Sequence, residues 1–211
     1  MSAYDESYLQ PARANLGHML EVATDDLGFG LGEFHGMFIA SGLAARFGAG
    51  DYGLITGCSG AELAFHVVEE VGLPRPQRSE VRCRYDRGPE YWCGWALARY
   101  QWKTALAFGA IERFAPVEDV VLLYDTYHEM DVRHLDDWLD ARRRNYFART
   151  PLRMRRMAAG MSQSQLARES GVPVRSIQQY EQRRKELNKA AAETVVRLAR
   201  ALFCSVEDLL E

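Results

Sequence analysis

Apolar residues recur at spacings of three and four along most of the chain, the period of a helix with one buried face. Ala12, Leu16, Met19, Leu20, Ala23 and Leu27 mark the first such face. Leu31, Phe34, Phe38 and Phe47 mark a second helical stretch, closed by Gly48 and Gly50. Ser59 and Glu62 have the spacing of a capping box, in which hydroxyl and carboxylate each satisfy a backbone N–H of the first turn. The helix this box opens carries Leu63, Val67 and Val71 and stops at Gly72, with Pro74 beyond. Residues 73–88 hold two prolines and many charges without periodicity, which predicts an exposed loop. Pro89 suits a first helical turn, where its missing N–H costs nothing, and Tyr91, Trp95, Ala98, Trp102 and Ala105 follow on one face. Pro116 opens another helix with Val117, Val120, Val121 and Tyr124 inward. Asp131 caps a last one with Val132, Leu135, Trp138 and Leu139 inward. No stretch alternates with period two between hairpin turns, so the reading is all-α, with five or six helices over 1–141.

The last sixty residues have a tighter grammar. Ser162 caps a short helix that buries Leu166 and Ala167, and Gly171 follows where a tight turn needs positive φ. Pro173 and Val174 open a second short helix with Ile177 and Tyr180 on its inner face. Two short helices joined by a glycine-bearing turn make a helix-turn-helix, whose second helix can enter the major groove. Val195, Leu198, Ala199 and Leu202 give a further helix, and Ser205 caps a short one ending at Leu209 and Leu210.

Charge divides the chain in the same way. The net −3 over 211 residues comes from 26 basic and 29 acidic side chains. Residues 142–211 hold 15 of the bases and 7 of the acids, giving +8, which leaves 11 against 22, or −11, over 1–141. Opposite signs predict two domains with different partners, one of them a polyanion. The organisation expected is an acidic helical domain over 1–141, a basic linker over 142–151 ending at a proline, and a DNA-binding domain over 152–211.

Residues 152–211, with the motif MSQSQLARESGVPVRSIQQYEQ, resemble the Cro/cI-repressor-like (XRE) helix-turn-helix family. The resemblance implies a five-helix DNA-binding fold. It places Gln163 on a phosphate at the start of the first motif helix, and base-reading positions on Val174, Arg175 and Gln179, with Gln178 close by. Chemistry fits these roles, because arginine can pair with O6 and N7 of guanine and glutamine with N6 and N7 of adenine. Arg183, Arg184, Lys185 and Lys189 supply positive charge for backbone phosphates, which sets salt dependence without reading sequence. Two departures stand out. Arg155 occupies a position that is usually apolar in the first helix, and Arg183-Arg184 replace the usual glycine after the recognition helix. The resemblance implies a transcriptional regulator on a double-stranded operator. A lone domain of this size buries little surface, so a homodimer matching a pseudo-palindromic site is expected.

The N-terminal stretches FIASGLAARFGAGDYGLITGCSGAEL and GPEYWCGWALARYQW resemble, more loosely, the helical domain in front of some bacterial XRE regulators from loci similar to toxin–antitoxin modules. That likeness implies an autorepressor of its own operon with a protein toxin as a possible partner, and an alternative function as an antitoxin that neutralises it through the acidic domain. The aromatic residues Tyr91, Trp92, Trp95, Tyr100 and Trp102 have helical spacing, which reads first as core and second as a stacking surface for a base or ligand. Asp25, Asp26, Asp136, Asp137 and Asp140 read as solvated faces. His18, His35, His66, His128 and His134 form no HExxH motif, and Cys58, Cys83, Cys93 and Cys204 form no CxxC pair, so no metal or other cofactor is expected. Gly57-Cys58-Ser59-Gly60 is explained by helix capping rather than by a cysteine nucleophile. No catalytic constellation is present, which argues against an enzyme. The acidic N-terminus lacks a signal-peptide pattern, and the longest apolar-looking stretch, 36–45, is half a membrane span. A cytoplasmic protein with no membrane partner is the expectation.

Overall fold

The computed structural model describes residues 2–76, 81–82 and 86–210, and every regular element among them is a helix. Cys83 and the middle of the expected 73–88 loop lie outside the described residues. Contacts divide the chain into two compact units, 1–140 and 141–211.

The first unit is built around α1, Leu9–Asp25, which buries Ala12, Leu16, Met19, Leu20, Val22 and Ala23. The helix stops two residues before Leu27, whose N–H closes a turn onto the Val22 carbonyl. α1 packs chiefly on α6, Pro89–Thr104, and on α5, Gly60–Glu70. Glycine sets how near they come. A Cβ on Gly94 would lie 2.6 Å from the Leu16 carbonyl oxygen, and one on Gly60 would lie 2.7 Å from the Asn15 carbonyl oxygen. Backbones this close leave no room for a methyl group. Asn15 completes the seam by donating to the carbonyls of Leu54 (2.7 Å) and Cys58 (3.1 Å), which pins the 54–58 turn to α1. The Ser59–Glu62 capping box forms as expected, and Gly72 ends the helix at φ +82°.

The second predicted stretch is broken. α2, Leu31–Ala40, and α3, Leu43–Gly48, are separated at Gly42, whose left-handed φ of +80° turns the chain. The break lets Phe34, Phe38 and Phe47 all reach the core. Phe38, Phe47 and Phe108 meet there with centroids 5.5 to 6.1 Å apart. Phe108 belongs to α7, Phe108–Glu112, which follows a short α4, Tyr52–Ile55, in the list of small helices the periodicity did not separate. His35 is buried beside this cluster, with Nδ1 2.8 Å from Glu112 Oε2. The Pro116 helix is α8, Val117–Val121, and it buries Val117 and Val120. Tyr124 starts a separate single turn, α9, Tyr124–Tyr127, and is half-buried.

Two readings of α6 and of α10, Arg133–Ala148, need correction. On α6 the fully buried face is Cys93, Gly94, Ala96, Leu97, Ala98, Tyr100 and Gln101, whereas Tyr91, Trp92, Trp95 and Trp102 are only half-buried. Small residues won the core because α1 lies too near for indoles. On α10, Leu135 and Leu139 are buried as expected, but Asp136 is not a solvated residue: it is 3% exposed. It accepts from Arg99 Nη1 and, at 3.1 Å, from Lys103 Nζ, and Tyr100 donates to Asp140 at 2.8 Å. A buried carboxylate is tolerable only with such partners.

The second unit has its own core of Leu152, Leu166, Val172, Ile177, Leu187, Val195, Leu198, Ala199, Leu202 and Leu209. Four helices supply most of it: α11, Pro151–Ala158; α12, Gln163–Ser170; α13, Val174–Glu181; and α14, Ala192–Ala201. Val172, Leu187, Leu202 and Leu209 join from the turns between and after them. The fifth helix implied by the family resemblance is a single 3₁₀ turn, Glu207–Leu209, held by reciprocal Ser205 and Asp208 hydrogen bonds. Segment 142–151, read as a linker, is helical as far as 148, where α10 ends. No helix among the described residues is long and apolar enough to cross a membrane.

Candidate nucleic-acid interface

The geometry of α13 begins with its neighbour. Ser162 opens α12 with a capping box: its Oγ accepts from the Gln165 N–H (3.1 Å), and Gln165 Oε1 accepts from the Ser162 N–H (2.7 Å). Gly171 closes α12 in the left-handed region at φ +68°, and Ser170 Oγ accepts from the Val172 N–H at 3.2 Å. The turn therefore satisfies its own backbone and delivers Pro173 to the N-cap of α13.

At 100° per residue, α13 sorts its eight residues into two faces. Ile177 and Glu181, four apart, face inward and are buried. Arg175, exposed, and Gln179, half-buried, fall on the opposite side, while Val174 and Gln178, both half-buried, lie at its margin next to Glu181. Of the four residues expected to read bases, Arg175 and Gln179 thus share the face turned away from the core.

Glu181 fixes the inward face. It is 3% exposed and accepts from Arg156 Nε at 2.5 Å, Arg156 Nη2 at 2.9 Å and Gln163 Nε2 at 2.7 Å. Arg156 also donates to the Met161 carbonyl at 2.6 Å, and the bonds to Glu181 raise the pKa of its guanidinium. One carboxylate therefore ties the ends of α11, α12 and α13 together. A bidentate arginine on a buried carboxylate is among the strongest polar contacts available, and it also fixes orientation. Gln163, expected on a phosphate, has its amide N–H₂ in this network, at the first residue of α12. Periodicity had no means of finding the Arg156–Glu181 pair, since its two residues lie 25 apart in the chain.

Beyond α13 the basic residues separate. Arg184 and Lys185 are exposed, and Lys189 is exposed with its Nζ 2.8 Å from Glu186. Arg183 differs from them. It adopts the left-handed region at φ +51°, where the family usually has glycine. Its Nε donates to the Tyr146 carbonyl at 3.1 Å, and its guanidinium sits 3.8 Å from the centre of the Tyr146 ring. Contacts to tyrosine thus offset the backbone strain of a side chain in that region. Arg155, the other departure, leaves the core to Leu152 and pairs with Asp208 at 2.6 Å, bracing α11 against the last turn.

No curated protein and no solved structure matches the chain. A family model described as Helix-turn-helix matches residues 152–209. This segment coincides with the second core and the α12–turn–α13 geometry, and it points to a DNA-binding regulator. Residues 152–209 are a helix-turn-helix domain of the Cro/cI-like type.

Proposed function

We propose that the protein is a sequence-specific transcriptional regulator that lays α13 in the major groove of duplex DNA and represses its own operon as a homodimer. The observation that carries this reading is the sorting of α13: Arg175 and Gln179 outward, Ile177 and Glu181 inward, with Val174 and Gln178 at the margin between them. A helix of eight residues is about 12 Å long, comparable with the width of the major groove. Arg184, Lys185 and Lys189 are the residues for phosphates, with Gln163 at the start of α12 as a fourth contact. Arg183 is better suited to holding the backbone after α13, because its guanidinium rests on Tyr146.

Binding-site selection on random duplexes tests the assignment. The wild-type protein should yield one half-site, arranged as a pseudo-palindrome for a dimer. Arg175→Ala should lose preference at one base pair by about 1–3 kcal/mol, while Arg184→Ala should weaken all sequences alike and flatten the salt slope by about one. A selected sequence unchanged by Arg175→Ala ends the base-reading role.

A second reading rests on the −11 charge of residues 1–141: that unit docks a basic toxin, and DNA binding is secondary. Co-purification with the product of a neighbouring gene supports it. Full operator binding with no protein partner favours the first.

A further inference from the structure

The half-buried aromatic residues of α6 do not pack into the core, and they are not spread evenly over the surface. Tyr91, Trp92 and Trp95 line one cavity of about 280 Å³ together with Arg87, Tyr124 and His128. That volume lies just below the ~300–1,000 Å³ of ordinary ligand sites, enough for one or two fused rings. The walls are ordered by contacts among themselves. Trp92 and Tyr124 meet edge to face, with centroids 5.9 Å apart at 78°, and Tyr124 stacks on His128 at 4.3 Å and 16°. Tyr124 also donates to the Arg87 carbonyl at 3.3 Å. Large aromatic side chains normally gain by burying ~150–250 Å² each, so half-open indoles around one cavity forgo packing that a core would supply.

Charge selects the ligand. Among the described residues nothing acidic lines the cavity, and its two basic walls are a guanidinium and an imidazole. Arg87 sits 4.3 Å above the Tyr91 ring, and its Nη1 donates to the buried Glu21 at 2.8 Å. That is the one described hydrogen bond from a side chain with five N–H donors, and the side chain is about half exposed. A second guanidinium, Arg13, lies 3.1 Å from the centre of the Trp95 ring; it is 6% exposed, and its Nε and Nη2 have no hydrogen-bond partner among the described residues. Cationic groups therefore already occupy Trp95 and Tyr91, which disfavours an aromatic cage for an ammonium ligand.

We propose that this cavity binds a small planar aromatic acid, its ring against Trp92 and Tyr124 and its carboxylate on Arg87. The inference concerns the first unit alone and does not depend on DNA binding by the second.

Isothermal titration of the full-length protein with naphthoate, neutral naphthamide and phenyltrimethylammonium tests it. The expected result is saturable one-to-one binding of the acid, at least tenfold tighter than the amide, with no binding of the ammonium. Trp92→Ala should weaken the acid at least tenfold while thermal unfolding remains cooperative. Equal affinity for acid and amide, tighter binding of the ammonium, or no saturation by the acid overturns the proposal. So does an unchanged acid affinity in folded Trp92→Ala. Should that variant fail to fold, the wild-type ratio of acid to amide decides alone.

Discussion

Replacing Glu181 by leucine isolates the contact on which the geometry of the helix-turn-helix depends. The substitution keeps an apolar fit but leaves the Arg156 guanidinium, 11% exposed, without its bidentate partner. Breaking a buried pair from one side costs about 3–5 kcal/mol, because the remaining charge stays in a poor solvent. A unit of roughly 70 residues has about 4–11 kcal/mol of stability in total, so Glu181→Leu should consume a large part of it. All four tryptophans lie outside the second unit, so indole fluorescence is blind to the change. Hydrogen exchange reads it locally. Amides of α13 that exchange through unfolding of the unit should lose about two to three and a half orders of magnitude of protection. The double variant Arg156→Met with Glu181→Leu removes both charges and should return to within about 1 kcal/mol of wild type. Protection in Glu181→Leu within tenfold of wild type, or a double variant as weakened as the single one, refutes this account.

Gly94→Ala should destabilise the first unit by about 1–3 kcal/mol or more, since the added methyl meets the Leu16 carbonyl at 2.6 Å; thermal unfolding followed by tryptophan fluorescence reads it, and an unchanged midpoint contradicts the close seam. At position 183, Ala loses the tyrosine contacts yet keeps the left-handed backbone, whereas Gly loses only the contacts. Arg183→Gly should therefore be more stable than Arg183→Ala by about 1 kcal/mol in urea unfolding of the second unit, and a reversed order would remove the strain argument. The side-chain hydrogen bond from Arg133, with its backbone N–H, lowers the Asp131 carboxyl to about 2. A depressed acid contributes its stability above the unfolded value, near 4, and loses it as the pH falls toward 2. Carboxyl NMR titration should show this low midpoint, and Arg133→Gln should move it up toward 4; no movement would assign the shift to something other than Arg133.

Local patterns along the chain determined much of the molecule. Helix class, the Ser59–Glu62 cap, the Gly72 and Gly171 stops and the whole α12–turn–α13 unit follow from spacing within a dozen residues, where backbone geometry alone decides. The inward Ile177 and the shared face of Arg175 and Gln179 were legible for the same reason, since a helix of known start fixes its own faces. What the sequence withheld depends on partners far apart in the chain. Asp136 and Glu181 look solvated until Arg99 and Arg156 arrive from other helices, because a charge is buried or exposed by its neighbours and not by its own residue type. Gly17 on α1, Gly60 on α5 and Gly94 on α6 carry no period, yet they set how closely α1 meets its two neighbours. The tryptophans of α6 have the spacing of a core face, and only the nearness of α1 moved small residues inward and left the indoles around a cavity. Periodicity reports which residues share a side of a helix; tertiary packing decides what that side meets.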